Sequence, residues 1–304
     1  MSLLALNSKK NTRRTKEDKV FDVINVFLVA MIVLLVIYPL YFIVIASISN
    51  PNMIYEGKVW FLPKELTFEG YERILRDSKI WLGYKNSIVY TVVGTIVNVS
   101  FTLMAAYALS RKDLYGRNTI MFLFLMTMFF SGGLIPTYLV VKNLGLLNTM
   151  WALILPKAVA VWNVIVAKTF FESTIPGELL EASRIDGCND VKFFWKIVLP
   201  LSKPIVAVMV LFYAVGHWNS YFDALIYLNN ENLYPLQLIL RNILIQNQAS
   251  TMMISDLDSL AAKQRVSELI KYGVIIVSSL PLLIVYPFVQ KYFVKGVMIG
   301  GIKG

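Results

Sequence analysis

The chain has 304 residues, 57% of them hydrophobic and only 16% charged, with a mean hydropathy of +0.62. This is too apolar for one water-soluble domain and places the chain in a membrane class. A single cysteine, Cys188, excludes an internal disulfide framework, and no GxxxxGK[ST] occurs, so no ATPase chemistry of P-loop type resides here.

Residues 1–19 are polar and basic, with six Lys or Arg from Lys9 to Lys19, and read as a tail. Val20 to Ala46 carries one charge, Asp22, and is long enough to span about 30 Å of hydrocarbon as an uncleaved first span. Residues 47–83 return to mixed charge and hold Trp60, Phe61 and Trp81, which suit a membrane interface. Within them, Thr67, Glu69 and Glu72 begin a short surface helix before Arg73. A five-helix core is expected over 84–293. Its second span, Asn86 to Leu109, is rich in small residues that allow close helix packing. The third, Thr119 to Val141, is interrupted by Ser131-Gly132-Gly133 and Pro136, and the fourth runs from Thr149 to Phe170. The fifth runs from Lys203 to Tyr227 and the sixth from Leu269 to Phe293, with a long outer loop, 228–268, between them. That loop is either a connector or a docking surface. Residues 294–304 form a Gly-rich tail.

Between spans four and five lies a polar stretch, Glu178 to Pro200. Pro176 and Glu178 suit a helix start, and Leu179, Ala182, Ser183 and Asp186 recur at helical spacing, so that side is expected to pack. Gly187 ends this helix, Asn189 or Asp190 caps a second one, and Pro200 is expected to break it. The product is a helix–Gly–helix bracket, with its first helix at 177–187, shaped to receive a push from a partner.

Lys and Arg counts orient the chain. With the N-terminus inside, 17 of the 29 lie on the inner side: six in the tail, three at 110–118, five around the bracket and three at the end. The only short outer loop has Lys142 alone. Six spans are therefore expected, with both termini and the bracket cytoplasmic, and the formal charge of +10 marks topology, not a nucleic-acid partner.

Glu181-Ala182-Ser183, Gly187 and Ile197-Val198-Leu199-Pro200 resemble the EAA-x3-G-x9-I-x-L-P signature of ABC-importer permeases. Ser183 stands where the family usually has alanine, a small-for-small exchange. Asn86-Ser87-Ile88 through Ser110-Arg111, Ile135-Pro136, Leu144 to Thr149, Phe212 to Asn219 and the tail GVMIGGIKG resemble the carbohydrate branch. The chain looks like the smaller, six-span subunit of a type I sugar importer of the maltose-importer kind, nearest the polysaccharide or oligosaccharide members. The resemblance implies an all-α permease fold in a bacterial plasma membrane, with an EAA coupling helix. It also implies a second permease as heterodimer partner, an ATPase dimer in the cytoplasm and an extracytoplasmic solute-binding protein. Glu181, Ala182, Ser183, Asp186, Gly187, Ile197, Leu199 and Pro200 would couple to the ATPase, and Gly300, Gly301, Lys303 and Gly304 would reach the ATPase pair. No catalytic residue, metal or cofactor is expected in this chain, ATP and Mg²⁺ being held by the partner.

No Asp or Glu is expected at mid-depth: Asp22, Glu172, Asp223 and Glu268 sit at or beyond span ends, which disfavours an ion-coupled carrier. A lone channel or carrier, and a permease for an amino acid or peptide, are the alternatives. Lys157 and His217 stand out inside spans. Tyr213, Gly216, His217 and Ser220 share a helical face, and His217 is expected in Lys157's layer. Lys157, Tyr213, His217, Trp218 and Asn219 are thus candidate cavity residues for a hydroxyl-rich solute, either neutral or acidic. Otherwise Lys157 snorkels or bonds a carbonyl, and His217 bonds a neighbouring helix.

Overall fold

The computed structural model describes residues 16–252, 267, 269–284, 286 and 287, and every regular element among them is helical. The chain divides into two compact units between Phe68 and Glu69.

In the first unit, α1 (Lys16–Ser47) contains the expected first span in one continuous helix. Helix α2 (Pro51–Tyr55) follows, with Asn50 as its cap: the Asn50 side chain accepts the Asn52 N–H at 3.0 Å, and Pro51 occupies a first-turn position where no N–H is needed. Asn50 also donates to the Glu65 carboxylate at 2.7 Å, so this segment is folded rather than a bare loop.

The second unit opens with α3 (Glu69–Arg76), whose Glu69–Arg73 and Glu72–Arg76 pairs are spaced to support a helix. Helix α4 (Ser78–Ser110) starts ahead of the expected Asn86, because Asp77 caps it by accepting the Lys79 N–H at 2.9 Å. Tyr90, Gly94, Asn98, Thr102 and Ala106 recur every fourth residue on its buried side. That stripe packs against the two helices introduced below as α8 and α11, and α4 is the hub of the unit.

Two expected spans prove to be bent, and the bracket joins the start of the fifth at an angle. α5 (Arg117–Phe129) and α6 (Leu134–Asn143) meet at 115° across the Ser131-Gly132-Gly133 interruption, while Pro136 sits within the first turn of α6. α7 (Trp151–Ile154), extended by a 3-10 turn over Leu155–Lys157, meets α8 (Val161–Thr174) at 54°. The bracket consists of α9 (Gly177–Ile185) and α10 (Asp190–Leu201), and α10 meets α11 (Lys203–Trp218) at 85°. The fifth span was expected to continue to Tyr227. Instead α11 ends at Trp218, and α12 (Phe222–Tyr227) forms a separate short helix. Much of the outer segment is also ordered: α13 (Leu236–Met252) buries Leu236, Leu238, Ile239 and Leu240.

Among the described residues α1 and α4 are each long and apolar enough to cross a membrane, the three bent pairs pass the same test as pairs, and α14 (Leu269–Ile284) is a shorter apolar helix. By length and composition, two helices among the described residues can cross a membrane, or up to five crossings if each bent pair is one span. Glu268, the expected end of the sixth span at Phe293 and the tail residues Gly300, Gly301, Lys303 and Gly304 lie outside the described residues.

Candidate functional site

The bracket forms where the sequence places it, and its glycine has a specific task. Gly187 takes φ +71°, a left-handed conformation that L side chains rarely adopt, in the turn that joins α9 to α10. Of the two caps considered for α10, Asn189 is the one used, accepting the Lys192 N–H at 2.8 Å. Pro200 does not break α10. A π turn over Phe194–Val198, closed by Leu199 N–H to Phe194 C=O, widens the helix just ahead of the proline, and the break falls at Ser202.

The packed side of α9 also differs from expectation. Ser183 is buried and Leu180 packs on the core, whereas Leu179, Ala182 and Asp186 face outward with Glu181 and Gly187. The helix is rotated so that its small serine approaches its neighbours. Ile197 and Leu199 are half-buried against the same core, and Pro200 is exposed.

Four charges hold the bracket to the end of α4. Arg111 donates to Asp113 at 2.8 Å and to Asp190 at 2.9 Å, while Arg184 donates to Asp113 at 3.0 Å and lies 4.0 Å from Asp190. Arg111 is mostly buried, also donates to the Tyr107 hydroxyl at 2.9 Å, and sits over that ring. The Arg111 hydrogen bonds hold the Asp113 carboxyl well below the usual carboxylate range, with Arg184 adding to the effect, and Asp113 raises the Arg111 guanidinium in return. Reading Arg111 and Lys112 only as topology charges missed this clasp. Its signal was there, in acidic Asp113 and Asp190 flanking two basic positions on the same expected side.

At the other polar centre, a cavity of about 580 Å³ is lined by Lys157, Tyr213, His217 and Asn219. Trp218 is not part of the lining: its indole N–H donates to Ser278 C=O at 3.0 Å and its ring packs near Tyr84. The cavity's wall is the break between α7 and α8, where backbone groups must find partners outside the helix. Asn98 on α4 supplies one, donating to Lys157 C=O at 3.2 Å, and the Tyr213 hydroxyl on α11 accepts Ala160 N–H at 3.0 Å while sharing a 2.6 Å hydrogen bond with Thr102. Asn98 also meets His217 Nε2 at 3.1 Å. This approach exists because α4 has a glycine there: a Cβ on Gly94 would lie 2.4 Å from His217 Nε2.

Asn98, Asn163, Ser220, Tyr221 and Asp223 add further polar groups to the lining. The two asparagines were legible as amides inside apolar segments. Asp223 was expected at a span end; it lies beyond the break after α11, yet its carboxylate reaches Lys157 Nζ at 2.6 Å. Lys157 therefore has a counter-ion, which neither reading of it anticipated.

No family model matches the chain. It is 43% identical over 88% of its length, and 92% of the relative's, to the polygalacturonan/rhamnogalacturonan transport system permease protein YtcP of Bacillus subtilis (strain 168). It is 42% identical over 88% of its length, and 89% of the relative's, to protein LplC of the same organism. Among solved structures it resembles a chain of a bacterial ABC transporter involved in the import of the acidic polysaccharide alginate, with TM-score 0.81 and 34% identity, covering 92% of this chain and 98% of that one.

Proposed function

The chain belongs to the permeases of ABC import systems for polysaccharides and oligosaccharides, and from that premise we propose that its bracket is where an ATPase subunit drives it. In this reading it is a multi-pass plasma-membrane subunit with both termini and the bracket in the cytoplasm. It pairs with a second permease, two ATPase subunits and an extracytoplasmic solute-binding protein, and ATP and Mg²⁺ are held by the ATPases. It is a translocation component with no chemistry of its own.

The observation that carries this is the clasped bracket. Closure of an ATPase dimer moves α9, whose outward face presents Glu181, Ala182 and Asp186. Arg184 transfers the displacement to Asp113 and so to the end of α4, while Phe193, Phe194 and Val198 of α10 press on the core shared by α4, α8 and α11. Because α4 also carries Gly94 and Asn98, movement at the bracket is felt at the cavity wall roughly three to four helical turns away. Each turn advances about 5.4 Å. The helices tilt and the cavity changes the side to which it opens.

The test is Gly187→Val. The substituted residue cannot relax into φ +71° without strain of about 1–2 kcal/mol, so the turn opens and the bracket loses its shape. The complex should still assemble in membranes and hydrolyse ATP, while binding-protein-dependent glycan uptake is lost. Normal uptake by this variant would contradict the proposal.

A further inference from the structure

We propose that Lys157 and Asp223 form an exchangeable ion pair, in which the carboxylate of a uronic-acid sugar replaces Asp223 on the Lys157 ammonium. This rests on the importer reading above and narrows its substrate to acidic oligosaccharides contacted by this subunit.

The pair is built unequally. The Asp223 side chain is 15% exposed and fixed in the first turn of α12, whereas the Lys157 side chain is 68% exposed at the cavity. A four-carbon stem bearing a compact charge can swing from one carboxylate to another without moving backbone. Among the described residues the pair is also the only opposite-charge contact in the cavity lining, so an arriving anion that left it intact would place two carboxylates on one ammonium. Exchange avoids that, since one ion pair is broken as another forms.

The rest of the lining suits a sugar. Asn98 is 1% exposed and its Oδ1 has no hydrogen-bond partner, leaving a buried acceptor for a hydroxyl donor. Asn163 and Ser220 add amide and hydroxyl groups, and Tyr221 adds an aromatic face. Over the Tyr221 ring, at 5.9 Å, lies the Arg241 guanidinium, which pairs with no carboxylate among the described residues.

The two members of the pair should act in opposite directions. The assembled importer is reconstituted in nanodiscs without binding protein, and equilibrium binding of radiolabelled trigalacturonate is measured. Lys157→Met should raise Kd roughly tenfold, by loss of a charged hydrogen-bond partner. Asp223→Asn, which frees the ammonium, should lower Kd roughly threefold. Lys157→Arg should restore binding, which guards against misfolding as the cause. If both variants shift Kd the same way, or neither shifts it, the pair is only structural and the proposal falls. It also falls if the wild-type complex binds no trigalacturonate. Import of a glycan with binding protein present, measured in parallel, then decides separately whether the importer reading survives.

Discussion

Asn98, Gly94 and His217 illustrate how a polar centre is kept inside an apolar helix bundle. The imidazole meets α4 only because residue 94 has no side chain, and the asparagine then bridges His217 to the carbonyl freed at Lys157. Gly94→Leu should therefore destabilise the purified complex by about 1–3 kcal/mol through overpacking, read as a lowered thermal transition. Shortening the partner in Gly94→Ala/His217→Ala should recover most of what Gly94→Ala alone loses. Asp113 permits a statement about pH. Its carboxyl is held low in the folded chain, so the stabilisation is fully present above the unfolded value of about 3.9 and is lost only as pH falls through the lower folded value. Uptake should show no inflection from this group between about pH 5 and 8, whereas Asp113→Asn should reduce uptake severalfold with ATP hydrolysis retained. An inflection in the wild type that disappears in Asp113→Asn would contradict the assignment.

At the scale of elements, what the sequence made legible was local and what it hid was relational. Gly187, Asn189 and the acidic start of α3 announce turns and caps because their side chains act on neighbouring backbone. The bends were harder. A hydropathy run from Lys203 to Tyr227 looks continuous, but the break after Trp218 is decided by whom Asp223, Tyr213 and Trp218 contact on other helices. The rotation of α9 has the same origin: Leu179 and Leu180 are equivalent as helix formers, and only the neighbours of Ser183 choose between them. The clasp likewise joins residues 71 and 79 positions apart, beyond any local pattern. Because Arg111 and Arg184 share both acids, Arg184→Ala should weaken transmission without dissolving the bracket, lowering transport per ATP hydrolysed more than it lowers complex yield.

For the whole molecule, the proposed account is that force made elsewhere enters at the bracket, and the helices behind it rearrange around a polar cavity. The proposed topology is open to direct labelling, since Cys188 is the sole cysteine in the chain. An impermeant maleimide should fail to label it in right-side-out vesicles and succeed after permeabilisation; labelling from outside would invert the orientation. The most direct test of the central claim uses the exposed Ala182 on α9. In a Cys188→Ser background, Ala182→Cys is paired with a cysteine in the co-purified ATPase subunit, and disulfide formation and glycan uptake are followed together. The account predicts an ATP-sensitive cross-link that halts uptake and is reversed by reductant. A bracket that never cross-links to the ATPase, or a cross-linked complex that transports normally, would contradict it.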